Sequence, residues 1–254
     1  MYRPNEFKAA LAQGKQQLGM WLSLAGNVAA EVVAAGGYDW VTIDTEHSPN
    51  DLVTTFAQLQ AIAAYPVEAL VRPEKKDRDL IKQLLDMGAR SLILPAVETA
   101  AEAEAIVIGT RYPMRGMRGV AGSTRANRWG RVKDYLQNAE KDIFLAMQIE
   151  TPAGVENAEA MASVDGVDAL FVGPSDLAAT MGYIGRATEK DVQDAIRSVA
   201  QACQRAGKAA GILAVVEADA KRYLEWGYSM VGIGADQVLF ARACDDLLKR
   251  FRPS

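Results

Sequence analysis

The sequence predicts one (β/α)8 barrel, a TIM barrel of the α/β class, with a short N-terminal helix. Eight short apolar segments with strand character are each followed by a segment of helical periodicity. Several of these helices end at a glycine just before the next strand, where a left-handed residue suits a C-cap; the examples are Gly36, Gly88, Gly207 and Gly227. Eight such units in about 250 residues fit a closed parallel barrel.

An open parallel sheet is the alternative fold. It is the weaker prediction, because the glycine fingerprint of dinucleotide-binding folds is missing after the first strand. No linker-like segment divides the chain, so we predict one barrel domain over residues 1–254.

The first half of the chain supplies the N-terminal helix and four strand–helix units. Apolar residues that recur at helical spacing, such as Leu80, Ile81, Leu84 and Leu85, define the core-facing side of these helices. Thr99 and Glu102 have the spacing of a capping box. The predicted helices are 5–12, 27–35, 50–64, 77–87 and one from 99, and the predicted strands are 18–24, 38–46, 67–72 and 91–97.

The second half begins with an irregular segment. Six arginines lie among several glycines between residues 111 and 131, which predicts a long loop. Thr151 is a natural N-cap after the fifth strand, and Pro152 suits the first helical position. The predicted strands are 144–150, 169–174, 209–214 and 230–235; the predicted helices include 188–205, one ending at 227, and 236–250.

Composition narrows the functional classes. The net charge of −4 argues against a broad nucleic-acid surface, and no apolar segment is long enough to cross a membrane. Cys203 and Cys244 have no metal-type spacing and are expected to be reduced thiols of a cytoplasmic protein. His47 is the only histidine, which excludes a histidine-rich metal site.

Polar side chains are concentrated where the predicted strands end. They are Asp44, Glu46 and His47 after strand two, Arg72 after strand three, Gln148 and Glu150 at strand five, and Ser175 and Asp176 after strand six. Active sites of (β/α)8 barrels lie at the carboxyl ends of the strands. We therefore expect these side chains to form one site.

Glu150 and Asp176 are candidate ligands of a divalent cation. Two carboxylates, completed by substrate oxygens and water, suit a hard octahedral ion such as Mg²⁺ or Mn²⁺. The alternative is that both acids cap the helices that follow them. The residues alone leave both interpretations open.

Arg72 and His47 also allow two interpretations. Arg72 could clamp a carboxylate or an enolate oxygen, or it could form a structural ion pair with Asp44 or Glu46. His47 could be a general base or a structural histidine.

The arginine-rich loop is better explained by subunit contacts or a lid than by phosphate or RNA binding, because the net charge of the chain is negative. Residues 173–177 place backbone N–H groups at a helix start, where they could bind a substrate carboxylate.

Six motifs in order resemble the metal-dependent class II pyruvate aldolases, of the 4-hydroxy-2-oxoheptanedioate and 2-dehydro-3-deoxyglucarate aldolase type. The resemblance covers about residues 19–241. The motifs are the DTEHSPND run at 44–51, Val71-Arg72-Pro73, residues 81–89, residues 111–119, Gln148-Ile149-Glu150-Thr151, and Gly173-Pro174-Ser175-Asp176-Leu177.

The resemblance implies a TIM barrel, usually assembled as a hexamer built from trimers, that acts on pyruvate and an aldehyde with Mg²⁺, Mn²⁺ or Co²⁺. It implies that Glu150 and Asp176 bind the metal, that Arg72 stabilises the pyruvate enolate and that His47 is the base. The implied role of Asp86 is to raise the basicity of His47. The remaining implied role is substrate binding, by Gln148 and by the backbone of Ser175 and Asp176.

The implied role of Asp86 conflicts with the predicted fold. Asp86 lies late in a helix that runs away from the catalytic rim.

The implied reaction is reversible cleavage of a 4-hydroxy-2-oxo acid to pyruvate and an aldehyde. Three alternatives remain at this point. A Schiff-base aldolase needs a desolvated lysine, for which Lys75 and Lys76 are the candidates. A metal-enolate carbon–carbon lyase would act on a coenzyme A thioester. A barrel without catalytic activity would be a binding or assembly module.

Overall fold

Eight parallel strands form a closed barrel in the order β1 to β8 in the computed structural model, which describes residues 4–252. The strands are β1 Gln17–Leu22, β2 Trp40–Asp44, β3 Glu68–Arg72, β4 Ser91–Leu94, β5 Phe144–Ile149, β6 Ala169–Val172, β7 Ala209–Leu213 and β8 Met230–Ala235. The ring is closed where β1 pairs with β8. The predicted (β/α)8 barrel is thus confirmed, and the open sheet is excluded.

Helices follow every strand around the outside of the barrel. They are α1 Glu6–Ala12, α2 Asn27–Ala34, α3 Leu52–Ile62, α4 Arg78–Asp86, α5 Ala100–Thr110, α6 Tyr135–Asp142, α7 Pro152–Glu156, α8 Ala158–Ala162, α9 Pro174–Thr180, α10 Lys190–Ala206, α11 Glu217–Glu225 and α12 Asp236–Phe251. Three predicted C-cap glycines, Gly88, Gly207 and Gly227, have positive φ. At the junction between α2 and β2 the predicted glycine was one residue off: Gly37, and not Gly36, has the positive φ.

The barrel interior is filled by large rings packed against very small residues. Trp40 packs edge-on against both Trp21 and Phe171, with ring centroids 6.3 and 6.4 Å away. A Cβ on Gly19 would lie 2.1 Å from the Trp40 ring, and one on Gly211 would lie 2.5 Å from Phe171. These glycines therefore make room for the rings, and the rings form a rigid floor below the carboxyl rim.

Helix α1 covers the amino-terminal end of the barrel. Phe7 is buried and contacts Phe144, the first residue of β5, with ring centroids 5.0 Å apart. The Asn5 side chain donates to Ser91 Oγ at 3.0 Å and to the carbonyl of Asp142. Because this end is closed, the opposite rim is the open face for a substrate.

Helix α12 is present as predicted, but its apolar side is not buried within the chain. Leu239 and Leu247, which share one apolar stripe of the helix, are 48% and 50% exposed, and Phe240 and Phe251 are exposed further. On the outer face of β8, Ile233 is 38% exposed. Val28 and Val32 of α2 are more exposed than Ile233. The apolar side of α12 and the apolar surface formed by β8 and α2 are therefore both exposed to solvent.

The long loop predicted between residues 111 and 131 is present, and it is followed by α6. Within residues 4–252, none of the helices is long and apolar enough to cross a membrane.

Candidate active site

The side chains predicted for the site come together at the carboxyl ends of β2, β3, β5 and β6. Asp44 and Arg72 end β2 and β3 and are register partners in the sheet. Gln148 lies near the end of β5, and Glu150 follows it directly. Asp176 lies in the first turn of α9, just after β6. The ends of these four strands thus bring the groups to one rim of the barrel, as the sequence predicts.

Arg72 is held by two carboxylates of the β2 end. Its Nε and Nη2 donate to the two Asp44 carboxylate oxygens at 2.9 and 2.7 Å, which is a bidentate pair. Its Nη1 lies 3.1 Å from Glu46 Oε2. Arg72 and Asp44 are both buried. The structural ion pair considered for Arg72 is therefore present, and it holds the position of the guanidinium beside the site.

The pKa values of the two acids differ because only Asp44 is well paired. Burial opposes the ionisation of Asp44, but the hydrogen bonds and charge of Arg72 outweigh it and hold its pKa below the usual value. Burial raises the pKa of Glu46, and the charges of Arg72 and His47 only partly counteract this. The sequence offered either acid as an ion-pair partner of Arg72, and the structure shows that Arg72 contacts both.

His47 lies at the solvent side of this cluster. Its side chain is 62% exposed, and its Nε2 is 3.9 Å from Glu46 Oε2. The loop that carries His47 is shaped by Asp44, whose Oδ1 accepts from the Glu46 and His47 backbone N–H groups. An accessible imidazole beside a carboxylate is a suitable arrangement for proton transfer to or from a ligand.

Glu150 is fixed by neighbours on both of its oxygens. Its Oε2 accepts from the backbone N–H of Ala96 at 2.9 Å, and its Oε1 accepts from Gln148 Nε2 at 2.6 Å. A Cβ on Gly173 would lie 2.9 Å from Glu150 Oε1, so the glycine is needed to leave room for the carboxylate. The other amide atom, Gln148 Oε1, is buried without a hydrogen-bond partner.

The acids at this rim repel one another. Burial, followed by the negative charges of Glu46 and Asp176, raises the pKa of Glu150 to about 7. Asp176 also raises the pKa of Glu46, and its own side chain is exposed. Four carboxylates thus share this rim with the Arg72 guanidinium, and the excess negative charge would be relieved by a bound cation. Among residues 4–252, no group of three or more His, Cys, Asp or Glu side chains is arranged to hold a metal ion; Glu150 and Asp176 are only two.

Ser175 lies beside Asp176 at the start of α9 and is likewise exposed. Its position is consistent with a substrate contact through the backbone, which stays a prediction.

Asp86 is not brought to His47 within this chain. It ends α4, a helix of nine residues that starts beyond the Arg72 end of β3 and descends about 12 Å along the barrel at 1.5 Å per residue. Its Oδ1 accepts from Arg118 Nη2 at 2.6 Å, and the fully buried Arg118 guanidinium stacks on Tyr112 at 4.6 Å. Within this chain the partner of Asp86 is therefore Arg118, and its implied effect on His47 stays a prediction.

Neither lysine proposed for a Schiff base is a desolvated amine. Lys75 is 62% exposed and pairs with Glu74. Lys76 Nζ donates to the Ala96 carbonyl and to Glu102, both at 2.7 Å. A charged, hydrogen-bonded ammonium is a poor nucleophile, so these contacts argue against the Schiff-base alternative.

The fold and the polar rim define a barrel enzyme, and comparison with known proteins gives its class. The family model for HpcH/HpaI aldolase/citrate lyase matches residues 17–243. The hydroxypyruvate/pyruvate aldolase of Chromohalobacter salexigens is 49% identical over 98% of both chains. The 5-keto-4-deoxy-D-glucarate aldolase of Escherichia coli O6:H1 is 45% identical over 98% of this chain and 97% of its own.

Among solved structures, a HpcH/HpaI aldolase/citrate lyase family protein from Burkholderia cenocepacia superimposes with a TM-score of 0.95. It is 42% identical, and the match covers 98% of this chain and 99% of that one. The chain therefore belongs to the HpcH/HpaI aldolase/citrate lyase family, and it is an enzyme of the aldolase type.

Proposed function

We propose that this enzyme reversibly cleaves 4-hydroxy-2-oxo acids to pyruvate and an aldehyde. The observation that carries the proposal is the rigid placement of Arg72 beside an excess of carboxylates. A fixed cation next to a metal-type acid pair suits a reaction that develops negative charge on a ketone oxygen. The names of the two aldolase relatives support the same reaction class.

We propose Glu150 and Asp176 as ligands of a divalent cation. Three features of the rim fit such an ion: the mutual repulsion of the acids, the raised pKa of Glu150, and the unpartnered Gln148 Oε1. Oxygen donors suit Mg²⁺, Mn²⁺ and Co²⁺ alike, and the donor set does not select among them. When bound, the cation would supply Lewis-acid polarisation of the ketone and counter-charge for the enolate.

The chain's own residues would perform the following steps. Gln148 and the backbone of Ser175 and Asp176 hold the 2-oxo acid. His47 takes the proton from the C4 hydroxyl, the C3–C4 bond breaks, and its electron pair forms the enolate of pyruvate as the aldehyde leaves. Arg72 stabilises the enolate oxygen, and protonation at C3 completes pyruvate.

The proposed effect of Asp86 on His47 would have to cross a subunit boundary. Within one chain, Asp86 pairs with Arg118 at the far end of α4. In an assembly that brings α4 of one copy to the rim of another, its carboxylate could orient the imidazole of the neighbour.

The experiment that tests the function is exchange of the pyruvate methyl protons into D₂O, followed by proton NMR. We expect exchange to stop after EDTA treatment and to return with Mg²⁺, which does not broaden the spectrum. Mn²⁺ and Co²⁺ can be compared on aliquots quenched with EDTA.

The possible contrary results point to different functions. Exchange that survives EDTA would indicate a lysine Schiff base, which borohydride trapping of pyruvate would verify. Absence of exchange with every metal would contradict pyruvate as substrate. It would leave the thioester lyase, to be tested by proton exchange of acetyl-coenzyme A, and the binding module.

We propose that the enzyme is a homo-oligomer, with a hexamer as the form that the family resemblance implies. Helix α12 exposes Phe240, Leu248 and Phe251, while Ile233 and Val32 are uncovered on the barrel. A helix of 16 residues with its apolar side in water is marginal on its own. The occupant that fits both open surfaces is α12 of a second copy, exchanged reciprocally.

We expect the mass in solution to be a multiple of the 27.4 kDa chain. Light scattering after size exclusion measures it directly. The double variant Phe240→Glu with Leu248→Glu should shift the mass towards the monomer. Lys249→Glu on the same helix changes the net charge by the same amount and should leave the mass unchanged. A monomeric parent protein would contradict the proposal.

A cytoplasmic location belongs to the same proposal. Cys203 is buried and Cys244 is exposed, and both thiols are free. An exposed free thiol is typical of a reducing compartment.

A further inference from the structure

Arg72 is restrained along its edges by acids, but those contacts do not fix the plane of its guanidinium. Asp44 binds one edge and Glu46 lies at Nη1. The Nη1 contact is ionic without an aligned hydrogen bond, since Glu46 Oε2 has no hydrogen-bond partner. A guanidinium held in this way could still tilt about the axis of the Asp44 pair. A further contact on its face is required to set the direction of its remaining N–H groups.

That contact comes from β1. The Cζ atom of Arg72 lies 5.2 Å from the ring centroid of Trp21, within the range of a cation–π interaction. Trp21 is only 3% exposed. Tryptophan is the strongest partner for such an interaction, and the interaction gains strength where water is excluded.

The Trp21 ring is itself packed between two other aromatic rings. It packs edge-on against Trp40 and lies 5.5 Å from Phe171. Gly19 on β1 makes room for the Trp40 ring, and Gly211 on β7 makes room for the Phe171 ring. The interior aromatic cluster is therefore a support that reaches from the barrel centre to the guanidinium face.

We infer that Trp21 is a positioning residue for Arg72, which it holds in the orientation needed to stabilise the enolate. This inference rests on the proposed pyruvate chemistry for its catalytic meaning. A loss of orientation affects charge stabilisation more than ground-state binding, so it lowers kcat more than it raises KM.

The test compares Trp21→Leu and Trp21→Phe with Phe144→Leu. Phe144 belongs to the same interior cluster and is fully buried, but it packs on Phe7 at the closed end of the barrel. In pyruvate proton exchange, we expect Trp21→Leu to lower kcat about tenfold with KM changed less than about twofold. Trp21→Phe should restore kcat to within about threefold of the parent, and Phe144→Leu should lose stability but keep kcat.

A second measurement reads the contact without activity. The Arg72 Nε–H resonance in a ¹⁵N–¹H spectrum should carry a ring-current shift in the parent and in Trp21→Phe, and should lose it in Trp21→Leu. If Trp21→Leu does not fold, Trp21→Met removes the ring with an unbranched side chain and serves the same comparison.

Three results would overturn the inference: an unchanged Arg72 resonance in Trp21→Leu, an unchanged kcat in Trp21→Leu, or an equal loss of kcat in Phe144→Leu. Absence of exchange in the parent protein with every metal would instead refute the proposed function. In that case the Arg72 resonance still decides whether Trp21 orients the guanidinium.

Discussion

Arg72→Ala should abolish pyruvate proton exchange and destabilise the protein strongly at neutral pH. The loss of an enolate-stabilising cation is expected to lower kcat by at least about 10²–10³. The stability loss has a separate cause, since Asp44 would remain buried as an uncompensated charge. Removing one partner of a buried ion pair costs about 3–5 kcal/mol. Urea unfolding at pH 7 measures the second effect, and proton exchange measures the first.

The stability loss should also depend on pH. In the parent protein Arg72 depresses the pKa of Asp44, so the pair stabilises the fold above the unfolded pKa and is lost as pH falls. Without Arg72, burial would raise the Asp44 pKa, and the penalty for ionising it would disappear at low pH. The difference in unfolding free energy between parent and Arg72→Ala should therefore be large at pH 7 and shrink towards pH 4.

The control is the double variant Asp44→Asn with Arg72→Leu. It removes both charges, so it should recover most of the stability while remaining inactive. A double variant as unstable as Arg72→Ala would show that packing, and not the unpaired charge, dominates. Retained exchange in Arg72→Ala would remove the guanidinium from the mechanism.

The barrel could be predicted because its signals are local. Each strand is a short apolar segment, and turn residues such as Gly88, Gly207 and Gly227 have the positive φ that ends a helix. The location of the site followed from the fold, since parallel strands deliver Arg72 and Glu150 to the same rim. The boundaries were less exact, as the displacement from Gly36 to Gly37 shows.

The features that could not be predicted depend on contacts between distant segments or between chains. The apolar stripe of α12 indicates that the helix buries one side, but periodicity does not say against which chain. Similarly, the resemblance assigned Asp86 a partner in the site, whereas its partner within this chain is Arg118. The two aromatic contacts of Trp21 come from β2 and β6, and no local pattern announces them.

Glu150→Gln should eliminate metal-dependent exchange without weakening the metal-free fold. Loss of one of two proposed carboxylate ligands leaves Asp176 alone, so Mg²⁺ should no longer restore activity after EDTA. The fold should tolerate the change because the amide keeps the shape of the carboxyl group. The Gln148 amide can turn so that its unpartnered Oε1 accepts from the new side-chain NH₂, while the new oxygen still accepts from Ala96.

The direction of the stability change follows from the raised pKa. Because folding raises the pKa of Glu150 from 4.5 to about 7, the metal-free parent is penalised for ionising it, increasingly as pH rises through that range. At about 1.4 kcal/mol per pKa unit, the penalty at pH 8 is at most roughly 3–4 kcal/mol. Glu150→Gln lacks this group and should be the more stable protein in EDTA at pH 8, and equal to the parent near pH 4.

Adding Mg²⁺ should reverse the order. A ligand that binds only the native state stabilises it, so the parent should gain thermal stability with increasing Mg²⁺ and Glu150→Gln should not. Glu159→Gln, at an exposed site on α8 away from the rim, is the matched control and should respond to Mg²⁺ as the parent does. If Glu150→Gln still gains stability from Mg²⁺, the ion is held elsewhere, and the acid repulsion at this rim must be relieved by protonation of Glu150 instead.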